Sequence, residues 1–187
     1  MGFADRTRHI PSSTCWRTGW NVVKTLVLGG ARSGKSLVAE RLAARSGEPA
    51  TYVATLRLSD DADLATRIEL HRERRPLQWS TLECGDDLIG ALSSTTGTVL
   101  VDSLGPWLAA LPDMSCDLKG LVAALVARRD DTIIVSEEVG FGVHPETPLG
   151  REFRDALGAL NQAVAGACDQ VLLVVAGRVL PLPGDEP

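Results

Sequence analysis

Residues 29–36 read Gly-Gly-Ala-Arg-Ser-Gly-Lys-Ser and fit the pattern G-x-x-x-x-G-K-[ST] at every fixed position. Gly29, Gly30 and Gly34 leave room for the backbone to approach a phosphate chain, because no Cβ stands in the way. Successive N–H groups then face the anion, and a helix that begins near Lys35 adds the positive end of its dipole at the same place. The stretch therefore predicts a phosphate-binding loop between a strand and a helix.

The side chains at the end of this loop carry the expected chemistry. Lys35 is expected on the β- and γ-phosphates of a nucleotide, and Ser36 offers a hydroxyl to Mg²⁺, a hard cation that prefers oxygen ligands. Residues 25–28 form a short apolar run typical of a buried strand, and the apolar residues after Ser36 fall on one helical face. The loop residues predicted to contact nucleotide are Gly29, Gly30, Ala31, Arg32, Ser33, Gly34, Lys35 and Ser36.

The composition of the whole chain limits the classes of protein to which it can belong. With 187 residues, 44% of them hydrophobic, and a net charge of −5, the chain fits one domain without a global basic surface, so nucleic acid is not an expected partner. Its four cysteines are far apart and lack C-x-x-C spacing, which indicates neither a zinc site nor a disulfide framework. We expect reduced thiols in the cytoplasm and no transmembrane segment, because no apolar run is long enough to cross a bilayer.

The first 24 residues differ from the rest. They include Pro11, Trp16 and Trp20 without any periodicity, and they lack the apolar core of a secretory signal. We expect an irregular extension over residues 1–24 and a nucleotide-binding catalytic domain over residues 25–187.

From Lys24 onward, apolar β-like runs alternate with helical patterns, as in βαβ units. The predicted strands are residues 25–28, 51–54, 98–101, 132–135 and 171–175, and the predicted helices are residues 35–45, 64–74, 86–92, 118–128 and 151–167. The chain is therefore predicted to be α/β, with a mostly parallel sheet flanked by helices. The carboxyl ends of such strands meet at one edge, where ligands bind.

Acidic residues follow two of these strands. Asp102 comes directly after the strand at residues 98–101, which is where a phosphate-loop enzyme holds Mg²⁺. Glu137 and Glu138 follow the strand at residues 132–135 and are candidates for the same role or for orienting a nucleophile. A solvated turn is the alternative for this pair.

A basic segment supplies a candidate nucleophile. On a helix, Arg67, His71 and Arg75 lie four residues apart and share one face. Two cations beside an imidazole favour its neutral form, whose lone pair can attack phosphorus, and the same cations attract phosphates. A solvated surface histidine is the alternative. We assign no chemistry to His9 or His144.

Taken together, these stretches resemble the family of bifunctional cobalamin-biosynthesis enzymes with adenosylcobinamide kinase and adenosylcobinamide-phosphate guanylyltransferase activities. The resemblance rests on the phosphate loop, on the run Tyr-Val-Ala-Thr at residues 52–55, on the segment from Arg67 to Glu83 and on the segment from Glu138 to Gln162. It extends from Thr25 to the last predicted strand.

The resemblance implies a RecA-like P-loop domain, a homo-oligomer and two reactions. The γ-phosphoryl group of GTP or ATP passes to adenosylcobinamide with Mg²⁺ held by Ser36 and Asp102, and GMP then passes from GTP to the product through a guanylyl-histidine. It implies that His71 is the nucleophile and, with Lys35, the catalytic pair. The further nucleotide contacts that it implies are Ala54, Thr55, Leu56, Arg72, Glu73, Arg74, Arg75, Glu83 and Asp102.

Two other classes of function fit parts of the same pattern. A small-molecule kinase of another pathway needs the loop and Asp102 but not His71. A GTP-binding regulator needs switch segments and slow turnover, and neither is evident in the sequence.

Overall fold

A computed structural model describes residues 22–46, 49–55 and 76–184 of the chain. The first half of the described elements runs in the order β1 (Lys24–Gly29), α1 (Lys35–Ala44), β2 (Thr51–Ala54), β3 (Ser80–Glu83), α2 (Leu88–Ser94) and β4 (Val99–Asp102). The second half continues with α3 (Leu104–Ala110), a 3₁₀ turn (Pro112–Met114), α4 (Leu118–Ala127), β5 (Thr132–Glu137), α5 (Pro148–Ala165), β6 (Gln170–Val175) and β7 (Arg178–Leu182).

The strands form one seven-stranded sheet in the order β3-β2-β4-β5-β1-β6-β7. All neighbouring pairs are parallel except β6 and β7, which form an antiparallel hairpin at one edge. The prediction of an α/β fold with a mostly parallel sheet is therefore confirmed. The phosphate-loop strand β1 lies between β5 and β6, and Gly29 at its end is in register with Glu137.

Each face of the sheet buries its own apolar cluster, because alternate side chains of a strand point to opposite faces. Leu26 and Leu28 of β1 belong to the larger cluster, which also contains buried residues of α2, α3, α4 and α5. Val27 belongs to the second cluster, with Ala39 and Ala43 of α1. Helix α1 therefore packs on the opposite face from the other described helices, and the loop that precedes it crosses the carboxyl edge of the sheet.

The five predicted strands and four of the five predicted helices appear with small shifts at their ends. The predicted helix at residues 64–74 lies outside the described residues. Elements β3, α3 and β7 were not predicted, and each has a local reason. Strand β3 has one apolar residue, Leu82; α3 carries Pro106 in its first turn, where the missing N–H is tolerated; and β7 contains Pro181 at a sheet edge.

No helix among the described residues is long and apolar enough to cross a membrane. The division into residues 1–24 and 25–187 stays a prediction, since residues 1–21 lie outside the described part of the chain.

Candidate nucleotide-binding site

The loop between β1 and α1 has the backbone conformation that its glycines predict. Gly34 has φ 95°, in the left-handed region that favours glycine, and Arg32 has φ 57°. A Cβ at Gly29 would lie 2.5 Å from Oγ of Ser33 and 2.7 Å from the carbonyl oxygen of Val174, so only glycine fits at that position. The loop is thus a compact cradle at the N-terminus of α1, which is the arrangement that binds phosphate through backbone N–H groups.

The hairpin at the sheet edge supports this cradle from behind. The N–H of Gly177, in the β6–β7 turn, donates to the carbonyl oxygen of Ser33 at 2.8 Å. The turn itself has Ala176 at φ 50° and Gly177 at φ 73°. The hydroxyl of Ser33 is buried and makes no hydrogen bond to any other described residue. The loop is therefore fixed by its backbone while it retains an unused polar atom.

Ser36 and Asp102 meet at the front of the loop. The hydroxyl of Ser36 donates to Oδ1 of Asp102 at 3.3 Å, and the phenol of Tyr52 donates to Oδ2 at 3.1 Å. Strand β5 separates β1 from β4 in the sheet, so the contact crosses one intervening strand. A hydroxyl and a carboxylate side by side are oxygen ligands of the kind that Mg²⁺ accepts, so these two residues could hold the ion.

Lys35 points toward the end of β5. Its Nζ lies 3.3 Å from Oε1 of Glu137, and the two side chains are only 12% and 23% exposed. The same carboxylate accepts a hydrogen bond from the hydroxyl of Ser103 at 2.9 Å and one from the N–H of Gly105 at 3.0 Å. Glu137 is therefore held by three donors from two helical segments.

The end of β5 is also fixed from the α5 side. Asn161 accepts a hydrogen bond from the hydroxyl of Ser136 at 2.6 Å and donates to the carbonyl oxygen of Glu137 at 3.0 Å. The N–H of Glu138 donates to the carbonyl oxygen of Gly29 at 3.2 Å, while its side chain accepts from the N–H of Gly140 at 2.7 Å. Of the adjacent pair of glutamates, Glu137 faces Lys35 and Glu138 folds back onto its own loop.

The structure brings together part of the set that the sequence predicts. Residues 29–36 and Asp102 lie at the same edge of the sheet, and Ala54 at the end of β2 is in register with both Asp102 and Glu83. Thr55 donates through its hydroxyl to the carbonyl oxygen of Ser103 at 2.8 Å. The remaining predicted site residues lie outside the described residues, and their roles stay predictions: they are Leu56, His71, Arg72, Glu73, Arg74 and Arg75.

Sequence reasoning gave no role to several residues that shape this site. Tyr52, Ser103, Gly105 and Asn161 all contact Asp102 or Glu137. Ser103 and Gly105 follow Asp102 so closely that they offered a signal, because residues just past a strand end commonly line a site in this kind of fold. Asn161 lies within a long amphipathic helix, so its position gave no such signal, and it entered the sequence analysis only as part of the family resemblance, without a role.

The chain is similar to three curated proteins. It is 41% identical over 174 residues to the bifunctional adenosylcobalamin biosynthesis protein CobP of Pseudomonas aeruginosa, covering 87% of this chain and 99% of that one. It is 37% and 38% identical to the proteins named CobU with the same description in Escherichia coli and Salmonella typhimurium, covering 81% of this chain and 95% of each.

A likeness to solved structures is more distant. The flagellar accessory protein FlaH from Methanocaldococcus jannaschii is 13% identical with a TM-score of 0.47, covering 84% of this chain and 74% of that chain.

Residues 25–182 match the family described as cobinamide kinase / cobinamide phosphate guanyltransferase. This match takes in every strand and helix described above except Lys24, the first residue of β1, and the chain belongs to that family.

Proposed function

We propose that this chain phosphorylates adenosylcobinamide with a nucleoside triphosphate and then transfers GMP from GTP to adenosylcobinamide phosphate, giving adenosylcobinamide-GDP. The observation that carries the proposal is the loop of residues 29–36 in a chain whose residues 25–182 match this family. The family description and the names of the relatives support a transferase that acts on small molecules of cobalamin biosynthesis.

The first reaction moves the γ-phosphoryl group. The hydroxyl oxygen of the aminopropanol arm forms a bond to the γ-phosphorus, and the bond from that phosphorus to the β–γ bridging oxygen breaks, which releases the nucleoside diphosphate. Positioning and neutralisation of charge provide most of the catalysis in such a transfer. In our proposal Lys35 contacts the β- and γ-phosphates, and the backbone N–H groups of the loop hold the rest of the chain of phosphates.

Ser36 and Asp102, whose side-chain oxygens lie 3.3 Å apart, would hold Mg²⁺, which would supply positive charge to neutralise the phosphates of the nucleotide. Tyr52 orients the Asp102 carboxylate through its 3.1 Å hydrogen bond, so the position of one ligand is set before the ion arrives.

The second reaction attacks a different phosphorus atom. We propose that His71 forms a bond to the α-phosphorus of GTP with loss of pyrophosphate, and that a phosphate oxygen of adenosylcobinamide phosphate then displaces the histidine nitrogen. The basic segment around His71 supports this assignment, because cations stabilise charge on the phosphorus oxygens. The further nucleotide contacts in the proposal are Ala54, Thr55, Leu56, Arg72, Glu73, Arg74, Arg75 and Glu83.

The proposal also includes a homo-oligomer, as the resemblance implies, and a cytoplasmic location, which the spacing of the cysteines favours. The net charge of −5 supports small-molecule substrates over nucleic acid.

Analysis of products tests the function. The purified chain is incubated with adenosylcobinamide, Mg²⁺ and either ATP or GTP, and the corrinoids are separated and weighed by mass spectrometry. We expect a product heavier by one phosphoryl group and, with GTP, a second product that carries GMP. Lys35→Ala should abolish the first product, whereas Lys119→Ala, an exposed change on α4, should not. Absence of both products with wild-type protein would reject the proposal.

A further inference from the structure

The carboxylate of Glu137 accepts hydrogen bonds on both of its oxygens in addition to its ion pair with Lys35. Its Oε2 accepts the N–H of Gly105 at 3.0 Å, and its Oε1 accepts the hydroxyl of Ser103 at 2.9 Å. A Cβ on Gly105 would overlap Oε2, so the helix approaches the carboxylate as closely as glycine permits. The carbonyl oxygen of Glu137 is held in turn by Asn161.

We propose that Glu137 accepts the proton of the attacking hydroxyl during phosphoryl transfer. This assignment rests on the proposed function and names a catalytic group for its first reaction. Phosphoryl transfer to an alcohol releases a proton, and a positioned carboxylate performs this task in protein kinases. The sequence alone left Glu137 and Glu138 equal candidates, with a role in metal binding or in orienting a nucleophile.

Lys35 marks where the phosphates bind relative to Glu137. A lysine at this position of the loop contacts the β- and γ-phosphates. Its Nζ is 3.3 Å from Oε1 of Glu137 before nucleotide arrives. A γ-phosphate bound to Lys35 is therefore within a few ångströms of this carboxylate, and a hydroxyl attacking that phosphate from the β5 side lies within hydrogen-bond reach of Oε1.

The other described carboxylates at the end of these central strands are engaged elsewhere. Asp102 accepts hydrogen bonds from Ser36 and Tyr52 on its two oxygens, and Glu138 accepts from the N–H of Gly140. Glu137 alone among these three residues pairs with the loop lysine. The assignment to Glu137 therefore rests on the direction of its side chain toward Lys35 as well as on the distance between the two.

A lone pair on Oε1 of Glu137 becomes available when Lys35 exchanges this carboxylate for the phosphates. When Lys35 turns to the phosphates, Oε1 loses the ammonium and retains the hydroxyl of Ser103. The attacking hydroxyl then donates to the vacated lone pair. As its oxygen bonds to the γ-phosphorus and the bond to the β–γ bridging oxygen breaks, the proton moves to Oε1 and later to water. Charge and atoms balance without any further reactant.

The two proposed reactions depend on Glu137 to different extents. Guanylyl transfer begins with a neutral imidazole, which has no proton to lose from its attacking nitrogen. That reaction therefore does not need the carboxylate. Guanylyl transfer thus provides an internal measure of whether a variant still folds and binds GTP.

The test compares Glu137→Gln with wild type and with Glu152→Gln, which makes the same change at an exposed position of α5. We expect kcat for phosphorylation of adenosylcobinamide to fall about a hundredfold in Glu137→Gln. We expect GTP binding to stay equal or tighten, because a negative charge near the phosphates is removed, and labelling of the protein by α-labelled GTP to persist. Glu152→Gln should match wild type in all three measurements.

Two further results decide the outcome. Glu137→Asp keeps the charge but withdraws it by one methylene, and it should transfer phosphate faster than Glu137→Gln. Slow hydrolysis of GTP at the γ-phosphate uses water in place of the alcohol, so it should also fall in Glu137→Gln even if adenosylcobinamide is not the acceptor. A fall of less than tenfold in both transfer to the acceptor and hydrolysis, with intact GTP binding, would overturn the role of Glu137 and leave the proposed function standing.

Discussion

The hydroxyl of Ser36 lies 3.3 Å from Oδ1 of Asp102, although the two residues are 66 positions apart in the chain. The contact joins the start of α1 to the end of β4 across the intervening strand β5. It brings two oxygen atoms together beside the phosphate loop, and our proposal that Mg²⁺ binds there rests on this contact.

Asp102→Asn should weaken the binding of Mg²⁺ at the proposed metal site. The amide keeps the shape of the side chain and removes its charge, so we expect the Mg²⁺ concentration for half-maximal phosphoryl transfer to rise roughly tenfold or more. Titration of Mg²⁺ at saturating nucleotide measures this. Asp113→Asn, at an exposed position of the 3₁₀ turn, is the matched control. An unchanged Mg²⁺ requirement in Asp102→Asn would remove this residue from the proposed metal site.

Gly29→Ala should distort the phosphate cradle. The added Cβ would meet Oγ of Ser33 at 2.5 Å and the backbone oxygen of Val174 at 2.7 Å, and the backbone of β6 cannot turn aside. We expect nucleotide affinity, measured by calorimetry, to fall at least roughly tenfold. Gly166→Ala is the comparison, since its nearest neighbour would be 3.6 Å away. Equal affinities in the two variants would show that the close approach at Gly29 has no part in binding.

Arg128→Met should destabilise the fold without touching the site. The buried guanidinium donates to the carbonyl oxygens of Leu92, Thr95 and Gly97, and methionine leaves these oxygens without their donors. We expect the free energy of unfolding to fall by about 3 kcal/mol, measured in urea. The exposed neighbour gives the control, Arg129→Met, for which we expect a change within about 0.5 kcal/mol. Similar losses in both variants would contradict the role of the buried contacts.

Cys168 should react slowly with alkylating reagents. Burial, with a smaller effect from the negative charge of Asp169, raises the pKa of its thiol from 9.0 to about 12, against the opposing effect of Lys24. The thiolate is the reactive form, so at pH 8 we expect alkylation roughly a thousandfold slower than in the urea-unfolded chain. Mass spectrometry of peptides after timed exposure to iodoacetamide measures this. Equal rates in the folded and unfolded chain would contradict it.

The same shift has a consequence for stability at alkaline pH. A raised pKa means that the folded state retains the proton more tightly than the unfolded state. The contribution of the Cys168 thiol to the free energy of unfolding is therefore constant below pH 9 and is lost as pH rises from 9 to about 12. Cys168→Ala should therefore lose less stability than wild type over this range. Parallel slopes of unfolding free energy against pH would show that the thiol does not contribute.

The sequence predicted the phosphate loop and the five central strands because both signals are local. The apolar runs around Leu26, Leu100 and Ile134 are buried in the sheet as their composition indicates. Asp102 could also be predicted from the sequence, because it directly follows one of these runs. Strand β7 could not be predicted, because Pro181 and an exposed edge remove the signals that mark a central strand.

The pairing of Lys35 with Glu137 shows what local signals leave out. It depends on the register that sets Gly29 beside Glu137 and on the approach of Gly105 to the carboxylate. Neither the register of parallel strands nor the path of α3 follows from periodicity, because each is decided by the packing of distant segments. Tyr52 is a similar case, since its hydrogen bond to Asp102 depends on the pairing of β2 with β4.

The most direct test of the proposed function follows two labels on GTP in the presence of adenosylcobinamide. We predict that a label at the γ-phosphate passes to the corrinoid, and that a label at the α-phosphate first attaches to the protein in an acid-labile, base-stable form and then passes to adenosylcobinamide phosphate. His71→Ala should lose the protein-bound label and keep the transfer of the γ-label. Transfer of neither label by wild-type protein, or an undiminished protein-bound label in His71→Ala, would contradict the account.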